Sequence, residues 1–138
     1  MQQFPTTANV RDYINAVLPS VPFPFTAWHQ TGSSIICPQQ WAKAPTDIDV
    51  VVYYGGALSV AAEALHQAHF TPCSGEAASV YEDEGSFIAY RMGYLNLIVV
   101  NTQAAYSRWY AATQAAISLN LTCKQDRVRL FKFIQEEL

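Results

Sequence analysis

The chain has 138 residues, of which 51% are hydrophobic and 14% charged, with a net charge of −3. That composition excludes a disordered chain and predicts one domain with its own core. The negative balance excludes a general electrostatic attraction to nucleic acid, so any such contact needs a local basic patch.

In chain order, Thr6 and Thr7 are candidate caps for a first helix carrying Val10, Ile14, Val17 and Leu18 at helical spacing, with Pro19 ending it near Leu18. The start of the chain lacks a basic segment and a continuous apolar run, and Pro19, Pro22 and Pro24 interrupt the next stretch. No signal peptide or membrane helix is expected. Cys37, Cys73 and Cys123 are odd in number and have no C-x-x-C spacing, which reads as reduced thiols in the cytoplasm without structural zinc.

Residues 21–30 form a proline-broken connector feeding a short strand that ends near Gln30, and Gly32 marks the turn after it. Residues 35–46 read as a loop with one helical turn around Gln39 to Lys43. IDVVVYY, residues 48–54, is the clearest strand, being β-branched and aromatic throughout. After Gly55 and Gly56, Val60, Ala64, Leu65 and Ala68 mark one face of a helix.

SFIAYR and YLNLIVV flank Met92-Gly93 and predict an antiparallel hairpin. Two helices close the chain, one carrying Ala105, Trp109, Ala112, Ala116 and Leu119, the other Val128, Phe131, Ile134 and Leu138. The order predicts an α+β fold, a small mixed β-sheet with helices packed on it. Lys124, Arg127, Arg129 and Lys132 bring four of the eight basic residues to the last helix, either as a solvated face or as a nucleic-acid patch.

Asp47 and Asp49 share one side of the IDVVVYY strand, because strand side chains alternate. Two converging carboxylates repel unless a cation or donors lie between them, and hard oxygens of this kind suit Mg²⁺ or Mn²⁺. Alternatively, Asp47 caps a turn after Thr46 and Asp49 is solvated at the strand edge. Arg91, closing SFIAYR, either reaches a phosphate or pairs with an acid. His66 and His69 read as surface residues, Cys37 as a buried thiol, and Trp28, Trp41 and Trp109 as core filling or base-stacking platforms.

A strand ending in Gly32-Ser33, the interval from Ser34 to Thr46, and Asp47-Ile48-Asp49 before an apolar strand together resemble the signature of the nucleotidyltransferase superfamily related to DNA polymerase beta. YLNLIVV, a Trp-containing helix and the K-x-D-R-x-x-L-F run from Lys124 to Phe131 are similar to small phage-encoded relatives. The resemblance implies a nucleotidyltransferase-like fold in which Gly32 and Ser33, with Ser34 beside them, contact nucleotide phosphates, and Asp47 and Asp49 hold Mg²⁺ or Mn²⁺. Its implied partners are a nucleoside triphosphate and an acceptor such as RNA or a host protein, met in the host cytoplasm.

This chain departs from that pattern twice. Ser34 stands where many relatives have arginine, and Asn96 stands at the third carboxylate position. An amide cannot act as a base at neutral pH. Asp83 or Glu84 are candidates to replace the missing carboxylate. The readings are therefore a transferase in which Asn96 orients the substrate, a retired one that only binds, and, in another class, a catalytically inactive phage protein that blocks a host protein through the acidic VYEDEG loop, residues 80–85.

Overall fold

A computed structural model of the chain describes residues 5–43, 45–73 and 87–137. The VYEDEG loop, with Asp83 and Glu84, and the terminal Leu138 lie outside the described residues. Among the described residues, five strands form one mixed sheet and six α-helices pack on it, so the α+β expectation holds.

The sheet is built around β2 (Ile48–Tyr53) and β5 (Leu95–Val100), which pair in parallel. β1 (Ala27–Thr31) lies antiparallel beside β2; β4 (Phe87–Met92) and then β3 (Thr71–Pro72) continue antiparallel beyond β5. Strands buried on both faces read as unbroken apolar runs rather than as alternation, and VVV in β2 and LIVV in β5 have that character. Ile48, Val50, Val51, Val52, Leu95, Leu97, Val99 and Val100 are all fully excluded from solvent.

One face carries Ile48, Val50, Val52, Leu95, Leu97 and Val99 against α1 (Val10–Val17) and α4 (Leu58–Gln67), with Trp41 of α3 (Pro38–Lys43). The opposite face carries Val51, Ile98 and Val100 against α5 (Gln103–Ser118) and α6 (Lys124–Glu137), with Ile36 of the short α2 (Ser33–Ile36). No described helix is long and apolar enough to cross a membrane.

Several local expectations need correction. The first helix begins at Val10, not behind a threonine cap, because Asn9 N–H donates to Thr6 C=O at 3.0 Å in a preceding turn. The end of that helix is as expected: α1 stops at Val17, and Pro19 falls early in a 3-10 turn, Leu18–Ser20, where its missing N–H costs little. In α4 the buried stripe is Ala61 and Leu65, while Val60 is 54% exposed. Leu119 is likewise 63% exposed beyond the end of α5, whose buried stripe includes Thr113. Residues 35–46 hold the expected turn around Gln39 to Lys43 as α3, but a second short helix, α2, precedes it and reaches into the segment as far as Ile36.

The β4–β5 hairpin closes through a two-residue loop, Gly93 and Tyr94, with Met92 opposite Leu95. Gly93 has φ +59°, and a Cβ there would lie 2.6 Å from the Tyr13 hydroxyl, which accepts a hydrogen bond from Tyr94 N–H at 2.9 Å. The hairpin tip is thereby fixed to α1.

On the other face, Thr113 ties α5 to β1. Its hydroxyl donates to Trp109 C=O at 2.8 Å, which leaves its oxygen to accept from the Thr31 hydroxyl at 2.7 Å. Both threonines are buried, so neither has water as a substitute partner. Thr113→Val is expected to cost roughly 1–3 kcal/mol in urea unfolding, because it strands the Thr31 hydroxyl. Adding Thr31→Val should recover part of that loss, read as a non-additive double-mutant cycle.

Candidate active site

The parallel register places Asp49 opposite Asn96, and the flanking registers extend the row to Thr31 on β1 and to Arg91 and Thr71 on β4 and β3. Residues directly opposite on neighbouring strands share a face. Thr31, Asp49, Asn96 and Arg91 therefore lie side by side on the α5/α6 face, near the amino ends of β2 and β5.

Asp49 is the centre of this row. Its Oδ1 accepts a hydrogen bond from Asn96 Nδ2 at 2.8 Å. Its Oδ2 presses against Gly32, where a Cβ would lie 2.1 Å away. Gly32 has φ +73°, a backbone state that L residues rarely adopt, so both conformation and contact require glycine here. The turn after β1 is thus packed directly onto the second aspartate. Burial pushes the Asp49 carboxyl up to about 7; the nearby Asp47 adds to the rise, while Asn96, Arg91 and Arg127 oppose it.

Asp47, just before β2, pairs through Oδ2 with Arg91 Nη2, and both side chains reach solvent. Of the two options the sequence left for Arg91, the acid pair is formed. Cys73, one residue after β3, donates its thiol to Asn96 Oδ1 at 3.1 Å, and burial raises its pKa. The Asn96 amide therefore has its oxygen toward Cys73 and its nitrogen toward Asp49. Aspartates, amide, thiol and guanidinium form one network.

The other candidate residues sit around this network or away from it. Ser33 is partly exposed at the start of α2, next to Gly32. Ser34 is buried, and its hydroxyl accepts from Gln30 Nε2 at 2.8 Å. Cys37 is buried, as expected, and His66 and His69 are exposed. Trp41 and Trp109 are core residues, whereas Trp28 is partly exposed with Arg11 over its ring at 5.1 Å.

Arg127 corrects the reading of the basic terminal helix as one solvated face. It is buried, and its Nη1 donates to the carbonyls of Leu121 and Thr122 at 3.2 and 3.0 Å, with Cys37 Sγ at 3.5 Å. The signal was present in its spacing: Arg127 stands four residues before Phe131 and seven before Ile134, on the stripe those two bury. No comparable signal marks Cys73, because the two-residue β3 that presents it has no strand pattern of its own.

Among the described residues no group of three His, Cys, Asp or Glu side chains is arranged to hold a metal ion. A pair of hard carboxylates beside a glycine turn is present. That donor set fits Mg²⁺ or Mn²⁺ bound with a phosphate, since such ions keep most positions for water and phosphate oxygens. It does not fit a structural cation, which needs a fuller protein cage. No protein-family model, curated protein or solved structure matches this chain.

The raised Asp49 carboxyl fixes the sign of a pH effect. Between its ordinary value of 3.8 and about 7 the folded chain holds a proton that the unfolded chain has released. Folding stability contributed by this group is therefore full at acid pH and declines as pH rises through that window. Asp49→Asn is expected to stabilise the fold, by on the order of 1–3 kcal/mol at about pH 8 and by less at about pH 4.5. Chemical denaturation at the two pH values checks both sign and slope.

Proposed function

We propose that this chain is a nucleotide-binding domain of the nucleotidyltransferase type, taking a nucleoside triphosphate with Mg²⁺ or Mn²⁺ at the Gly32–Ser33 turn and the Asp47/Asp49 pair. The observation that carries the reading is the contact between Asp49 and Gly32. A carboxylate kept where burial raises its pKa to about 7 costs folding stability that an amide would not. Its position against a positive-φ glycine turn, with Asn96 in register beside it, gives that cost a use.

In this reading Asp47 and Asp49 would hold the cation, and the chemistry it would supply there is neutralisation of polyphosphate charge. Gly32 keeps side-chain bulk away from the phosphates, and Ser33 offers a hydroxyl to them. Asn96 positions Asp49 through its amide hydrogen and cannot accept a proton from an acceptor hydroxyl. Binding is accordingly the function proposed, with transfer slower than in a site with three carboxylates. The three free cysteines agree with a cytoplasmic setting.

One observation favours a second reading, a retired site that holds no cation: Arg91 and Asn96 already satisfy both aspartates. A thermal-shift titration separates the two. With a non-hydrolysable nucleoside triphosphate and Mg²⁺, ligand at about 100 times its Kd should add about 2.7 kcal/mol of stability. The gain should vanish in EDTA and in Asp47→Asn or Gly32→Ala. A shift that persists in EDTA, or no shift at all, would sink the metal–nucleotide reading.

A further inference from the structure

We infer that two copies of this chain pair through β1, antiparallel across a two-fold axis at His29, so that their five-stranded sheets run on as one. None of the pairing residues is among those assigned above to nucleotide or cation.

The sheet order β1-β2-β5-β4-β3 leaves β1 and β3 at its edges. An edge strand presents unpaired N–H and C=O groups, and single-chain proteins protect it with short strands, proline or charge. β3 has the first two protections: it is two residues long, and its Pro72 has no N–H to donate. β1 has none of them, since Ala27–Thr31 is five residues long without proline or a charged side chain. Its outer side pairs with no strand among the described residues.

Backbone hydrogen bonds fix which groups of β1 face outward. Ile48 N–H donates to Tyr94 C=O at 2.8 Å and Tyr54 N–H to Val100 C=O at 2.9 Å, so the even-numbered residues of β2 turn their backbone groups to β5 and the odd-numbered ones to β1. Asp49, Val51 and Tyr53 stand opposite Thr31, His29 and Ala27, which therefore bond inward. Trp28 and Gln30 keep their N–H and C=O on the free edge. His29 Nδ1 lies 3.3 Å from Gln30 C=O, a long contact that a strand N–H would replace.

Trp28 and Gln30 flank His29 symmetrically, which makes the edge complementary to itself. In an antiparallel pair centred on His29, Trp28 meets Gln30 of the second copy on each side of the axis, and every outward group gains a partner. This register alone pairs all five residues of β1, with Ala27 opposite Thr31. A net charge of −3 makes two copies repel in general, but β1 brings no formal charge, and burial lowers the His29 pKa and so keeps its ring neutral at neutral pH. On the α5 face, Tyr106 and Tyr110 stand with ring centroids 5.0 and 5.3 Å from His29, and Tyr110, 48% exposed, adds aromatic surface beside the strand. One short strand and one such ring per copy bury less than a permanent dimer does, so the association depends on concentration.

Sedimentation velocity over a concentration series tests the pairing. Wild type is expected to pass from monomer to dimer as concentration rises. Gln30→Pro removes one outward N–H from each copy and should weaken dimerisation about 10-fold or more. Tyr110→Lys, at an exposed position outside the strand, sets like charges near the axis and should weaken it too. Cross-linking reads the register, in a Cys123→Ser background because Cys123 is exposed. Residues opposite each other in a non-hydrogen-bonded pair have Cα atoms about 4.5 Å apart, within disulfide range. His29→Cys should therefore give a covalent dimer on mild oxidation, whereas Gln30→Cys and the Cys123→Ser parent should not.

Wild type that stays monomeric at the highest attainable concentration overturns the pairing, even if the edge takes up an extended peptide instead. A dimer that keeps wild-type affinity in folded Gln30→Pro overturns it as well, and Tyr110→Lys decides the same point if the proline variant does not fold. Equal yields of covalent dimer from His29→Cys and Gln30→Cys overturn the two-fold at His29.

Discussion

The parallel pairing of β2 with β5 is the constraint on which the rest depends. Both strands are buried on both faces, so hydrophobicity alone does not choose a register: valines and leucines would be buried after a slip in either direction. The polar residues choose it. Asp49 and Asn96 are each the second residue of their strand, and only the observed register brings them together in a hydrogen bond. A slip of β2 by one residue would turn Asp49 toward Ile48's present environment, the apolar α1/α4 core, and away from Asn96. The residue pair that defines the candidate site is thus also the pin of the sheet.

That coupling explains why the two faces differ. The α1/α4 face is apolar along the full length of the central strands, from Ile48 to Val52 and from Leu95 to Val99. The α5/α6 face is apolar only from Val51 and Ile98 onward. Below that level α5 meets the sheet through a polar contact, Thr113 to Thr31, and the row containing Asp49, Asn96 and Arg91 begins. Arg127 closes the far wall by tying the α5–α6 connection to Cys37. The polar row interrupts the apolar contact between sheet and helices at a level that the strand sequences dictate.

Much of this was legible in the order of residues alone, for physical reasons that differ by element. β2 and β5 are marked by β-branched runs, the hairpin by Gly93, and α5 and α6 by spacing of three and four. The face of α4 was not legible, because alanines fit either side and only packing decides that Ala61 goes in and Val60 out. The site was half legible. Gly32 and the aspartates carry local signals, a turn residue and a paired charge on a strand. Cys73 carries none, since it reaches Asn96 through the tertiary pairing of β3 with β4. Arg91 was ambiguous for a related reason: its partner Asp47 is 44 residues away in sequence, and only the sheet order brings them into contact.

The site also differs from the usual arrangement in open sheets, where ligands gather at the carboxyl ends of parallel strands. Asp49 and Asn96 stand at the amino ends of their parallel pair. The position is workable because β1 runs the opposite way and so delivers its carboxyl end, Thr31 and then Gly32, to the same level. The glycine turn and the aspartates come from antiparallel neighbours, and each constrains the other: Asp49 leaves no room for a Cβ at 32, and the turn at Gly32 contributes to the burial that raises Asp49's pKa. A substitution at either position therefore perturbs the other: a side chain at 32 displaces the Asp49 carboxylate as well as straining the turn.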